Sequence, residues 1–594
     1  MKDETKNCQN CKKDFTIEPE DFNFYEKIKV PAPTFCPECR LIRRMVWRNE
    51  RSLYKRSCAK TGKQIITMFH LDTDVMVYDH DIWWGDSWEP TDYGQEYDFS
   101  RPFFEQFKEL LQRTPLVNLG NTNCLGSPFG NHSSDCKYCY LIYASFKSER
   151  THYSCGGVGL KDCIDIYICS NSELSYGDTC CDSLYKTHFS YDTDESINSF
   201  FLKHCKNLQD CIGCVNLIHK SHCIFNVQYT KEEYEQKKKE LDFGNYKVLH
   251  KFEDSYNKFA LNFPNRCVSI IKSTETTGDM IMNAKNVKNS FDIYGGAMGS
   301  EDSRYVVHGS DIKDSYDVYG GGGVASLMYE GVDVGIEASK ELFGVITHTC
   351  LETYYTYMCF SSKNLFGCIG LRGKQYCILN KQYNKEEYFK LVPKIIEQMN
   401  AIPYIDKNGF IYKYGEFFPS DLSPFAYNET IAQEYFTKTK EEIIKEGYIY
   451  RTPLEKDYQV TIKSTDLPDH IEDISDSILE EVIACLNNGQ ELTQYTKAYR
   501  IIKSELDFLK NNNIALPRYC PNCRHYKRLS QRNPFKLWHR KCQCAGLNST
   551  NKKYKNTIKH FHGNESCPNE FETSYASNRP EIVYCEKCYQ QEVY

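Results

Sequence analysis

The sequence predicts a mainly β protein. A parallel β-solenoid with coils of about 23–27 residues is flanked by N- and C-terminal modules of zinc-ribbon or treble-clef-like type, with helical linkers between them. Three observations carry this expectation. The middle of the chain repeats with a period in the twenties. The two ends are copies of each other. The 30 cysteines also divide by type: five lie in 8–58, seventeen in 124–377 and eight in 485–588, and only the outer groups favour C-x-x-C spacing. A fixed period, short β-rich strings and Asn, Asp or Gly at the turns describe stacked coils that bury a face only against their neighbours. The Leu pattern of a leucine-rich array is missing.

Composition narrows the class further. At roughly 150 residues per domain, 594 residues allow about four domains. Lys+Arg 73 against Asp+Glu 80 leaves −7, so no uniform basic field covers the molecule. With 41% hydrophobic and 14% aromatic residues, a disordered chain is excluded. No run of about 18 apolar residues exists, so no membrane partner is expected. The opening MKDETKNCQNC has no apolar stretch behind it. A secretory signal is therefore not expected, and a cytoplasmic location is, where thiols stay reduced as metal ligands or small core residues.

In chain order, residues 1–58 read as an N-terminal zinc ribbon, and 59–120 as an acidic, aromatic, degenerate finger with a helix over 103–112. Residues 121–229 form a first β-solenoid array, 230–262 a helical insertion and 263–383 a second array. A helical linker region over 384–484 follows, with helical periodicity at 430–446 and 476–485. A C-terminal tandem zinc-finger module spans 485–594. Each array ends in a capping box, Thr230 to Glu233 and Asn384 to Glu387. The repeat places Cys163, Cys211, Cys267, Ser290, Ser315, Leu342 and Leu365 at equivalent inward positions. A ligand is not exchangeable for Leu, so these cysteines read as core residues. Tyr153, Tyr176, Phe200, Tyr305, Tyr329 and Tyr355 read as an aromatic ladder.

The metal sites follow from spacing. Cys8, Cys11, Cys36 and Cys39 form C-x2-C-x24-C-x2-C, four thiolates for a tetrahedral structural Zn²⁺ with no position left for water. At the C-terminus Cys567, Cys585 and Cys588 need a fourth ligand. Cys542 and Cys544 can each supply it, with Cys544 preferred and His560 and His562 as competitors. Cys520 and Cys523 are the knuckle equivalent to Cys36 and Cys39. Cys485 is a third ligand there, and Asn488 stands where its partner is expected. The second N-terminal finger keeps only Cys58, its other ligand positions falling at Thr61, Asp79 and Ile82.

The two ends align at a shift of 484 positions, Cys520 against Cys36, pairing CPECRLIRRMVWRNE with CPNCRHYKRLSQRNP. With RPEIVYCEKCYQQEVY, these strings resemble bacterial zinc-ribbon families of the C-x2-C…C-P-x-C-R and C-x2-C-x17-C-x2-C types. The combination with a Cys-rich repeat middle resembles large proteins from reduced bacterial genomes. The resemblance implies zinc at the intact cysteine sets and no established activity.

Basic residues with interleaved aromatics surround both knuckles. Arg40, Arg44, Arg48, Arg524, Arg528, Arg532 and Arg540 are the candidate nucleic-acid contacts, because steps of four put guanidiniums on one helix face at about phosphate spacing. The competing account pairs them with the acids of 70–98. No catalytic residue is expected: phosphate-loop, G-x-S-x-G and H-E-x-x-H strings are absent. The expected function is a zinc-dependent binding or scaffold protein, with RNA or DNA, ribosomal RNA included, as partner. The alternatives are a structural or assembly protein that binds protein partners, and a β-helix carbohydrate-active protein.

Overall fold

The computed structural model describes residues 2–294, 296–453, 458–487, 496–548 and 553–594. Among these the regular structure is mainly parallel sheet and helices are few. The chain forms two compact units. One comprises 1–119, 268–451 and 535–537, the other 120–267, 452–534 and 538–594. Each combines one repeat array with one terminal module, a grouping that a linear division of the chain does not express.

In the second of these units, bridges join residues twelve positions apart in parallel: Thr122↔Ser134, Ser134↔Phe146, Phe146↔Val158, and so on to Lys206↔Ile218. Every third residue makes such a bridge. The residue after it turns the backbone at positive φ, as at Asp135 (56°), Tyr138 (56°), Leu141 (52°) and Ala144 (47°). The residue before it points inward. The turn position explains the many Asn and Asp residues, which tolerate the left-handed region best after glycine. The inward position explains the Ser, Thr and Cys. Its own amide lies outside the ladder and needs an acceptor. The hydroxyl twelve residues earlier supplies one: Cys139 N donates to Ser127 Oγ at 3.0 Å, Ile166 N to Ser154 Oγ at 3.2 Å and Cys211 N to Ser199 Oγ at 3.1 Å.

The parallel register therefore steps by twelve residues, or four triplets, which corrects the expected coil of 23–27 residues: that period spans two steps. Cys163, Thr187 and Cys211 are separated by Ser175 and Ser199, and all five are fully buried. The half-period escapes detection because the intervening inward residues are serines that look like turn residues.

The first unit repeats the parallel scheme with steps of twelve and thirteen, as in Arg304↔Tyr316 and Tyr316↔Tyr329. Six strands close into a ring: Ser300–Arg304, Tyr316–Gly322, Tyr329–Gly335, Ala338–His348, Ala325–Ser326 and Ile312–Lys313, each paired with the next and the last with the first. Closure arises because Ala338–His348 runs unbroken from one face of the ladder to another. Cys163, Cys211, Cys267, Ser290, Ser315 and Leu365 are buried as expected. Leu342 is buried too, but in another row. It pairs with Tyr329 and Tyr354, whereas Glu341 pairs with Thr353 and Thr353 with Leu365.

Glu341 is thus a carboxyl in a core row, fully buried. Its Oε2 accepts from Gly335 N at 3.2 Å, and Oε1 has no partner. Burial pushes its pKa well above the ordinary range. An acid whose folded pKa is raised gives stability below its unfolded pKa and loses it as pH rises toward the folded value. Glu341→Gln should therefore be more stable than wild type above about pH 4.5. The advantage should grow by up to about 1.4 kcal/mol per pH unit in urea unfolding, until the folded pKa is passed. A difference independent of pH from 5 to 8 contradicts a neutral buried Glu341.

The helices Lys231–Glu240 and Lys385–Ala401 begin at the expected capping boxes, with Glu233 N on Thr230 Oγ1 (3.2 Å) and Glu387 N on Asn384 Oδ1 (2.9 Å). The expected helix at 103–112 is Phe103–Arg113. The periodicity at 430–446 resolves into two short helices, Ile431–Tyr435 and Lys440–Lys445, because Thr439 caps the second. At 476–485 a 3-10 turn, Asp476–Glu480, precedes the strand Ile483–Ala484. Pairing of that strand with Ile462–Lys463 and Ala498–Tyr499 overrides the helical pattern.

Candidate metal centres

The duplicated modules fold alike. Helices Pro37–Met45 and Pro521–Leu529 coincide at the shift of 484, as do strands Tyr54–Ser57 and Trp538–Lys541. Cys36, Cys520 and Cys585 are each the N-cap of a helix, with Cys39, Cys523 and Cys588 in the first turn. A helix N-terminus carries partial positive charge and favours the thiolate.

Cys8, Cys11, Cys36 and Cys39 bring their sulfurs within 4.8 Å of one another. The Cys11–Cys36 separation is 3.7 Å, and Cys36 N donates to Cys8 Sγ at 3.2 Å. A disulfide needs about 2.05 Å. A tetrahedron with metal–sulfur bonds of about 2.3 Å has edges of about 3.8 Å, which the set matches. The neighbouring Cys36 and Cys39 thiols hold Cys8 well below the ordinary thiol range, while Cys36 and Cys8 push Cys39 far above it. The set shares negative charge that a bound cation would complete.

The C-terminal set is Cys542, Cys567, Cys585 and Cys588, with Cys567 and Cys585 3.8 Å apart. Here Cys542, and not the preferred Cys544, is the cysteine gathered with Cys567 and Cys585. Cys542 follows directly on strand Trp538–Lys541, and its sulfur accepts from Cys585 N at 3.1 Å. Cys58 occupies the same place, accepting from Asp79 N at 3.3 Å. The alignment of Cys542 with Cys58 was the signal that points to this cysteine as the one gathered here. The degenerate finger keeps its hairpin, Tyr54–Ser57 against Gln64–Thr67, with Asp79 as helix N-cap where the other module has Cys585. Cys544 instead gathers with His560, His562 and Cys588.

Cys485, Cys520 and Cys523 form a three-thiol group, with Cys520 N donating to Cys485 Sγ at 3.2 Å as Cys36 N does to Cys8. Asn488 lies outside the described residues.

Five of the seven candidate phosphate-binding arginines are inside the protein, and Arg532 and Arg540 are half-buried. Arg40 Nη2 lies 2.8 Å from Asp317 Oδ2, and Arg44 Nη1 lies 3.2 Å from both Asp317 Oδ1 and Glu330 Oε2. Arg48 pairs with Glu50 (2.6 Å) and Asp333 (3.0 Å). In the other unit Arg524 Nε is 3.2 Å from Asp165 Oδ2, Arg528 Nη2 is 3.1 Å from Asp165 Oδ1, and Glu505 takes Arg524 Nη1 at 2.9 Å. These five guanidiniums are buried. Arg532 is half-buried and donates to Tyr167 Oη (3.3 Å), and Arg540 donates to the carbonyls of Tyr575 and Ala576 and to Gln543. A helical face of arginines does exist, as expected, but it turns toward carboxylates of the repeat array and not toward a phosphate line. Nor do the acids of 70–98 receive it. Asp165 and Asp317 occupy the positive-φ position of their triplets, so the array itself presents the acids. Arg43, missed by the spacing argument, pairs with Glu330 and Glu416 at 2.9 Å each.

Part of the expected aromatic ladder is present, with Tyr329 and Tyr355 linked through Phe343 at ring separations of 5.5 and 4.4 Å, while other aromatics of the arrays meet the terminal modules. Tyr153 lies under the Arg524 guanidinium (5.1 Å), and Phe24 of the terminal module stacks on Tyr316 at 3.9 Å. Tyr153, Tyr176, Tyr329 and Tyr355 are buried and so offer no exposed platform, while Phe200 and Tyr305 are half-buried. A cavity of about 390 Å³ in the same unit as Arg524 is bordered by Lys203, Tyr256, Arg518, Lys527 and Arg579. Much of its positive charge is met internally: Lys527 by Glu253 (2.5 Å), Arg518 by Asp469 (2.6 Å) and Arg579 by Glu581.

No protein-family model matches this chain, and no curated protein is significantly similar to it. The metal-binding geometry therefore stands on the cysteine sets themselves. Among the described residues no helix is long and apolar enough to cross a membrane.

Proposed function

We propose that the protein is a non-enzymatic, zinc-stabilised scaffold, in which each terminal module clamps a β-solenoid with twelve-residue coils. The observation that carries this reading is the paired burial of Arg40 and Arg44 on Asp317 and of Arg524 and Arg528 on Asp165. Duplicated arginine spacing is accounted for by duplicated docking. Zinc suits sets of four thiolates, being soft, tetrahedral and redox-inert. The twelve-residue parallel register supports the solenoid, whose outer faces would contact protein partners. A reduced, cytoplasmic setting fits the free thiols.

The test is a triple variant, Arg524→Ala with Arg528→Ala and Arg532→Ala. The scaffold reading expects a loss of Tm, and wild type with no salt-sensitive binding to RNA or DNA. Binding that falls steeply with salt and is weakened in the variant at unchanged Tm would return the arginines to phosphate contacts.

A further inference from the structure

The loop between Cys544 and Cys567 has no counterpart in the N-terminal module, where Cys58 and Thr61 are close neighbours in sequence. It carries two histidines into the C-terminal finger. His562 Nδ1 lies 2.7 Å from Glu565 O. A carbonyl only accepts, so Nδ1 carries the proton and Nε2 is bare. That bare nitrogen lies 3.3 Å from Cys544 Sγ and 3.3 Å from Cys588 Sγ. His560 is arranged the other way round. Its Nε2 lies 2.8 Å from Glu592 Oε2, and its Nδ1 faces Cys544 Sγ at 3.2 Å. The His560–Glu592 pair is buried, at 0% and 1% side-chain exposure. Glu592 is held in turn by Tyr554 Oη (2.6 Å) and by Thr557 N and Oγ1 (2.8 Å each). Asn556 Nδ2 donates to Cys544 Sγ at 3.1 Å. Metal-bound histidines are characteristically oriented in this way, the second nitrogen donating to a carboxylate or carbonyl.

We propose that the C-terminal finger holds two divalent metal ions that share the Cys588 thiolate. One ion takes Cys542, Cys567, Cys585 and Cys588; the other takes Cys544, His560, His562 and Cys588. In each group all donor atoms lie within 4.8 Å of one another, and Cys588 belongs to both. A thiolate sulfur has lone pairs enough for two metals. Tetrahedral edges between a sulfur and a nitrogen ligand are about 3.5 Å, close to the contacts seen. Five thiolates and two neutral imidazoles around two divalent ions leave a net charge of 4 − 5 = −1. This inference rests on the metal-binding reading of the cysteine sets and adds a second ion to one of them.

The test uses the full chain. Loaded with cadmium-113 as a soft stand-in for zinc, it should give a pair of resonances split by each other through the bridging sulfur. By elemental analysis, H560A with H562A should lose one metal per chain, and Cys588→Ser should lose two. A cadmium spectrum without a coupled pair, or an unchanged metal count in the double histidine variant, overturns the paired site. The Cys8 set serves as reference. Metal retained there while the histidine variant loses none overturns only the second ion. No metal anywhere overturns the underlying reading as well.

Discussion

Asp317→Ala is expected to destabilise its unit by about 3–5 kcal/mol, because it takes what is, among the described residues, the only carboxylate paired with buried Arg40 and one of the two paired with buried Arg44. Arg44 and Asp317 are both fully buried, and Arg40 nearly so. Forming such a pair brings little net stability, since desolvation offsets the Coulomb attraction. Removing one partner leaves charge in a medium that cannot solvate it. Arg43 and Glu330 lie within the same network, so the loss should spread beyond one contact. Asp165→Ala should act likewise on Arg524 and Arg528. A chain of two units need not unfold in one step, so hydrogen exchange of helix Pro37–Met45 is the sharper measurement. A shift below about 1 kcal/mol at Asp317 means that the arginines find water or another partner, and the docking account fails.

Cys36→Ser should remove one metal per chain and release the N-terminal module. Binding at a site absent from the unfolded chain contributes directly to folding, about 10 kcal/mol or more in small zinc-finger peptides. The effect here should be smaller but still several kcal/mol, because Arg40 and Arg43 also anchor helix Pro37–Met45. Elemental analysis gives the metal count, and limited proteolysis reads the release. Cys39 is pushed up by its neighbours Cys36 and Cys8, so binding must displace protons. Chelation should therefore become easier as pH falls. A wild-type protein that carries no zinc under reducing conditions ends the zinc reading.

Much of the site was legible along the chain. Cys8, Cys11, Cys36 and Cys39 were recognisable because a soft metal demands one residue type at short, paired spacing. The duplication of the modules was equally clear, and its shift of 484 positions set Cys542, the cysteine gathered with Cys567, Cys585 and Cys588, opposite Cys58. Preference for Cys544 came from treating the terminal finger in isolation. The triplet rhythm of the arrays was obscured for a different reason. Ser, Thr, Cys and Leu all serve at the inward position, so no single letter repeats every three residues.

By itself the sequence determined which cysteines could gather at the Cys8 set, the twin modules and the burial of most array cysteines, all of which depend on local spacing or on repeats aligned with themselves. Only the tertiary structure decided what the arginines do. Arg40 meets Asp317 across 277 positions and Arg528 meets Asp165 from the far end of the chain. A guanidinium carries the same charge whether it faces a phosphate or a carboxylate. Its role is set by which acid the fold places opposite it, and by whether water is left between them.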